Sequence, residues 1–277
     1  GKVVFQQGWG VIKAGQPAKI NEHTRFQVAS NTKAMASATL AMLVDEGKIS
    51  WDDRVIDHLP WFRLGGDPYV TREMRIRDLL CHRSGLSLGA GDLLWMYSDY
   101  SSEEVVRRLK DIAPATSFRS AYAYDNVLYL AAGELVKAVT GKEWRDVATE
   151  RILKPLGMNE TVVGIDRVRL EDNVAFPHGL VDGKMQVVRF DSVLNTLAAG
   201  GVMASVSDWA KWMQVQLDSG RTANGRLWSQ GQTRTMWMPH SNIPFGNPGP
   251  RFEALRLNFL GYGLGWTLRD YRGLKVV

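Results

Sequence analysis

Phe26-Gln27-Val28-Ala29-Ser30-Asn31-Thr32-Lys33, with the alanine-rich run that follows it to Gly47, is the stretch that decides the fold. From Ser30 to Glu46 there is neither Pro nor Gly, and Ala, Leu and Met are strong helix formers. Met35, Ala36, Ala38, Leu40, Ala41, Met42, Leu43 and Val44 fall on nearly every side. A helix apolar all round is a buried one, and Gly47 suits a left-handed C-terminal cap. Phe26-Gln27-Val28 alternates as a short strand, so Ser30 is expected where an extended segment meets the N-terminus of a central helix. There the helix dipole favours developing negative charge, and free N–H groups can meet an oxyanion. Lys33 stands one turn on, on the same face. A lone buried ammonium is costly, so this lysine is expected to be paired or neutral. Beside a serine hydroxyl, a desolvated lysine is a plausible proton acceptor. The plainer alternative makes Ser30 an N-cap and Lys33 a first-turn surface residue. S-x-x-K alone does not separate the two.

Composition sets the outer bounds. The 277 residues can bury a sizeable core in one large domain or two small ones. A hydrophobic content of 45% and a charged content of 23% are ordinary for a globular chain. No apolar run approaches the length of a membrane span, and no signal peptide is visible. Gly1-Lys2-Val3-Val4-Phe5 reads as the second half of a hairpin, so a trimmed N-terminus is expected and the compartment stays open. Cys81 is the only cysteine, which rules out an internal disulfide. The net charge of +5 is mild. The Arg72–Arg83 stretch is interrupted by Glu73 and Asp78 and reads as a solvated face. No basic run with interleaved aromatics points to nucleic acid.

Along the chain, Lys2 to Ile12 alternates as a strand, with Gly8 and Gly10 marking a bend or a close backbone approach. Gly65-Gly66-Asp67-Pro68 is a break. From about residue 70 the pattern is mainly helical. Arg77 to His82 predicts a short helix, and Ser101-x-x-Glu104 is a capping box opening Val105 to Ile112. Asn126 to Thr140 and Glu143 to Lys154 predict amphipathic helices, closed by Gly141 and Pro155. Ser207 to Ser219 predicts another, with Trp209, Trp212 and Met213 on one side. Gly261 to Leu268 reads as a glycine-rich strand, and Leu274 to Val277 starts another after a turn. Strands at both ends with helices between predict an α+β fold. The expected division is an α/β subdomain of residues 1–65 and 205–277 and a mainly helical subdomain of residues 66–204.

A second constellation precedes the Asn126 helix. Tyr124-x-Asn126 puts a phenol and an amide on its lip, a loop position suited to chemistry. A tyrosine near a lysine can lose its proton more easily and act as base or acid, and the amide can orient a carbonyl or the lysine. Alone, the same residues read equally well as a helix cap over a packed ring.

Taken together, S-x-x-K followed by Y-x-N, each at a predicted helix start, resembles the serine β-lactamase and penicillin-recognising enzyme family, in its class C-like branch. That branch includes β-lactamase-like esterases and D-aminopeptidases. The resemblance extends to Leu79-Leu80-Cys81-His82-Arg83-Ser84-Gly85-Leu86, Pro155-Leu156-Gly157-Met158, Ala199-Gly200-Gly201-Val202-Met203-Ala204-Ser205 and Tyr262-Gly263-Leu264-Gly265-Trp266. It implies an antiparallel sheet flanked by helices plus a helical subdomain, with the site between them and the sheet incomplete at both chain ends. It implies Ser30 as the nucleophile of an acyl-enzyme, Lys33 as holder of the serine proton, Tyr124 as its relay to the leaving group, and Asn126 as a substrate contact. The Ser30 N–H would supply half of an oxyanion hole. The implied substrate is a small or peptide-like molecule with an ester, amide or β-lactam carbonyl, handled without metal or cofactor. The resemblance is compatible with a periplasmic or secreted location and leaves a cytoplasmic one open.

The third motif of that family, K-T-G or H-x-G, is expected soon after the YGLGW strand and is not met before Val277; Lys275 does not replace it. This favours a fragment of a longer chain. The alternative is a penicillin-binding or scaffold-like relative with little turnover. Gly85-Leu86-Ser87-Leu88-Gly89 matches a nucleophile elbow, but no strand precedes it and no helix follows directly. His23, His58, His82, His178 and His240 lack metal-like spacing, and His82 reads as a structural hydrogen-bonder. Trp209, Trp212, Trp237 and Trp266 read as core and cleft wall. The loop His240–Phe252 is expected to shape substrate choice.

Overall fold

The computed structural model describes residues 2–277 apart from Leu170, Ser192 and Asn247. Gly1 of the N-terminal stretch and Asn247 of the 240–252 loop therefore lie outside the described residues.

The predicted central helix spans Thr32–Asp45, and every residue from Thr32 to Leu43 is buried. Its even coating of Ala, Leu and Met lets it pass through the core with no polar face. Gly47 closes it at φ +67°. Ser30 sits just ahead of the helix, on a 3-10 turn of Ala29–Asn31. Around this axis pack the helices Val127–Thr140, Trp144–Ala148 and Leu197–Gly200. Of the expected capping box the N-cap half forms: Ser101 accepts from the Glu104 N–H at 3.1 Å, opening a helix at Ser102–Arg108, while the Glu104 carboxylate pairs with Arg108.

The sheets are small and antiparallel. Phe26–Gln27 pairs with Val202–Ala204, which also pairs with Val162–Val163. The other main sheet runs Leu274–Val276, Thr267–Tyr271, Leu260–Tyr262, Ser241–Asn242 in spatial order. The glycine-rich stretch is thus not one strand. It is a hairpin whose turn holds Gly265 at φ +82°, with Thr267 opposite Tyr262. The turn folds onto the central helix: a Cβ at Gly265 would lie 2.7 Å from Ser37 Oγ and 2.8 Å from the Lys33 carbonyl. Only glycine allows that approach.

Residues 2–10 also depart from expectation, since they pair in no strand; a single bridge joins Val11 to Lys19. Gly8 is pressed against the Ile20 backbone and Gly10 has φ +87°, so the chain bends where a strand would continue. Nor is the Arg72–Arg83 stretch wholly solvated. Asp78 is fully buried and binds both Arg83 and Arg119, at 2.7 and 2.6 Å.

Candidate active site

The site begins at a strained residue. Ala29 has φ +47°, unusual for a residue with a Cβ. This twist, with the Asn31 N–H and side-chain amide both donating to the Val28 carbonyl at 3.2 and 2.9 Å, turns the chain sharply between strand and helix. Ser30 is left exposed at the mouth of a cleft while Lys33, one turn on, is fully buried. The strain costs about 1–3 kcal/mol and is typical of sites where geometry matters more than stability.

Lys33 Nζ has three polar neighbours: Asn126 Oδ1 at 2.8 Å, Ser30 Oγ at 3.1 Å and the Ala199 carbonyl at 3.1 Å. It also lies 4.8 Å from the Tyr124 ring centre and 5.1 Å from that of Tyr129. Burial pulls its pKa from the ordinary lysine range down to about 7, against the opposing pull of Asp125 and Asp92. As an ammonium it donates to all three partners. As a neutral amine it keeps two hydrogens and gains a lone pair. The Asn126 and Ala199 oxygens can only accept, so they retain the hydrogens. The lone pair is then directed at the one neighbour with a proton to give, the Ser30 hydroxyl.

Tyr124 completes the group, its hydroxyl close enough to that of Ser30 to favour the ionised phenol. A nearby lysine predicts easier loss of the phenol proton, but the structure reverses this. Burial raises the Tyr124 pKa, outweighing the nearby Ser30 hydroxyl, and Asp125 and Asp92 push it the same way. The phenol is therefore a neutral proton donor over the working range.

The loop bearing Tyr124 is stitched down along its length. Arg119 N–H donates to the Arg83 carbonyl, Ala123 N–H to that of His82, and Gly89 N–H to that of Tyr124, at 2.8–2.9 Å. His82 is fully buried beneath the Tyr124 ring, their centres 4.2 Å apart. Its Nδ1 accepts from the Asp125 N–H at 3.2 Å, which places the proton on Nε2. Burial lowers its pKa, despite the raising effect of Asp125. His82 is thus a neutral platform for Tyr124, the structural hydrogen-bonder expected of it.

Asn126 does not cap its helix. Asp125 Oδ1 accepts from the Leu128 N–H instead, at 3.3 Å. The Asn126 amide spans two groups: its oxygen faces Lys33, and its nitrogen donates to the Asp92 carboxylate at 3.0 and 3.2 Å. Nothing in the sequence singles out Asp92, because an acid in the first turn of a helix reads as ordinary dipole complement. Ser87 is exposed and takes no part in the Ser30 cleft. Among the described residues no group of His, Cys, Asp and Glu is arranged to hold a metal ion.

The cleft over Ser30 has a volume of about 770 Å³ and is lined by Tyr122, Tyr124, Trp209, Trp212, Trp237 and Trp266 among others. Trp237 and Trp266 meet edge to face at 5.8 Å. The four tryptophans are wall and core as expected, with Trp212 almost fully buried.

A serine set between a strained alanine and a buried helix, hydrogen-bonded to a buried lysine and close to a tyrosine, on this fold, defines a class. The chain belongs to the Beta-lactamase family, whose model matches residues 1–276. It is 28% identical over 308 residues to the unguisins hydrolase ungD of Aspergillus violaceofuscus, a match covering 99% of this chain and 51% of that one. The chain spans about half the length of the curated relatives it matches. The octameric penicillin-binding protein homologue from Pyrococcus abyssi superimposes with a TM-score of 0.82 at 24% identity, over 99% of this chain and 60% of that one. The D-amino acid amidase from Ochrobactrum anthropi SV3, complexed with L-phenylalanine amide, gives 0.73 at 24% identity, over 97% and 72%. At that identity the two structures share the fold.

Proposed function

We propose that this chain is the catalytic unit of a serine hydrolase that opens ester, amide or β-lactam carbonyls through an acyl-enzyme on Ser30. The observation that carries this is the environment of Lys33. A fully buried amine with a pKa near 7 and two fixed acceptors has only Ser30 Oγ–H to receive a proton from. Ser30 Oγ attacks the carbonyl carbon and its proton passes to Lys33 Nζ. The resulting oxyanion is met by the Ser30 N–H at the head of the helix. When the carbon–heteroatom bond breaks, Tyr124 supplies the proton that the leaving atom needs and is restored by the Lys33 ammonium. Water then releases the acyl group. The net transfer is one proton from Ser30 to the leaving group.

The hydrolase name of one relative supports hydrolysis, and the name of one structural neighbour, a D-amino acid amidase, supports amide-type substrates. The tryptophan-rich cleft favours an apolar or aromatic acyl group. An esterase or amidase is therefore preferred over a dedicated β-lactamase. The test is mass-spectrometric mapping of a fluorophosphonate probe, with Ser30→Ala as control. Label on Ser30 that disappears in the variant is the expected result. Label on Ser87, or none on either serine, defeats the proposal. Labelling with slow release of an acyl group would select the penicillin-binding alternative.

A further inference from the structure

The orientation of the Asn126 amide is a choice between two states. With the oxygen toward Lys33, that oxygen takes a hydrogen from the neutral amine and leaves its lone pair for Ser30. With the amide turned over, its N–H₂ would face the amine, donate to the lone pair and block the base. Amide rotamers of this kind are settled by the surrounding hydrogen bonds. On its far side the Asn126 amide meets a carboxylate, a pure acceptor when ionised. Asp92 takes both contacts from Asn126 Nδ2, at 3.0 and 3.2 Å. A flipped amide would set oxygen against oxygen there.

Asp92 is itself held. Trp95 Nε1 donates to Asp92 Oδ1 at 2.8 Å. Its own N–H donates to the Gly89 carbonyl at 3.0 Å, and Gly89 N–H donates to the Tyr124 carbonyl at 2.8 Å. Gly91, at φ +80°, seats the turn so closely on the Val127–Thr140 helix that a Cβ there would come within 2.8 Å of Val127 Cγ1. The turn 89–92 thus has a fixed register against both Tyr124 and Asn126.

We propose that Asp92 is a positioning residue of the site: it locks the Asn126 amide with its oxygen on Lys33, so that the lone pair of Lys33 is delivered to Ser30. This inference rests on the proposed Ser30–Lys33 chemistry. The same carboxylate contributes negative charge near the amine and holds its pKa up, together with Asp125. The other titratable groups packed about Lys33 are Tyr124, Tyr129 and His82. Tyr124 also feels the Asp92 charge, which pushes its pKa up, so losing that charge eases ionisation of the phenol only at the alkaline end of the profile.

The test is the rate of Ser30 phosphonylation from pH 5 to 10 in the wild-type chain and in Asp92→Asn, which keeps shape and loses charge. If the wild type is not labelled, the proposed function has failed and not this inference. If it is labelled, Asp92→Asn is expected to lower the plateau rate by about 10- to 100-fold, since misorienting a reacting group costs on that order. Its midpoint is expected to move to lower pH, because the group that favoured the charged amine is gone. An unchanged plateau, or a lower plateau with an unmoved midpoint, overturns the proposal. Should Asp92→Asn fail to fold by circular dichroism, Trp95→Phe carries the test. It frees Asp92 without removing it, so a slower plateau with an unmoved midpoint is expected, and a wild-type rate overturns the proposal.

Discussion

In the proposed mechanism, Lys33 and Tyr124 divide the proton traffic by their environments. Burial makes the lysine a base at neutral pH and keeps the phenol protonated well past it. Two results should follow. Activity should be low below the Lys33 pKa of about 7, rise through it as the amine loses its proton, and then stay level while Tyr124 remains neutral. Replacing Tyr124 by Phe should slow hydrolysis of an amide by about 10²–10⁴-fold, the usual share of a general acid. The same variant should lose far less on a p-nitrophenyl ester, whose leaving group departs without a proton. Steady-state kinetics on the two substrates checks this, and equal losses would contradict it. At this scale the residue types were legible: Ser30, Lys33, Tyr124 and Asn126 converge as the two motifs predict. Asp92 was not legible, because its role depends on which end of an amide it meets, and that is a fact of three dimensions.

The elements explain why the site is rigid. The Thr32–Asp45 helix announces itself through an unbroken run of helix formers and a terminal glycine, and its buried length agrees. The hairpin Leu260–Tyr271 was harder to foresee. Tyr262-Gly263-Leu264-Gly265-Trp266 has strand-like alternation, and only packing against the central helix turns it into a hairpin loop. Gly265→Ala should therefore cost about 2–4 kcal/mol, from overpacking plus a Cβ in the left-handed region. Denaturant melts would measure it. Because the intruding methyl would press on the Lys33 carbonyl, the variant should lose activity at temperatures where it is still folded. A neutral effect on both would mean that the turn has room to retreat.

Across the whole molecule, the α+β class and the order of segments follow from the sequence, while sheet membership does not. Strands of two or three residues, such as Phe26–Gln27 and Val162–Val163, carry too little alternation to announce their partners. Their pairing with Val202–Ala204 joins segments far apart in the chain. The cleft is likewise a property of the assembled molecule, since its tryptophans come from positions 209 to 266. Trp266→Ala should raise KM about 10-fold or more for substrates with a large aromatic acyl group, in line with about 1.5–3 kcal/mol for a buried large apolar group. It should leave acetyl esters nearly unchanged. Equal effects on both would place the acyl group elsewhere.

The central claim is that a neutral Lys33 receives the Ser30 proton, and the most direct measurement is the pH dependence of Ser30 phosphonylation in the wild type and in Lys33→Met. The account predicts a wild-type rate that rises to a plateau with a midpoint near 7, and a variant with no such rise and labelling slower by about 10²-fold or more. A wild-type rate that keeps climbing to pH 10, or a Lys33→Met variant that labels as fast as the wild type, would contradict it.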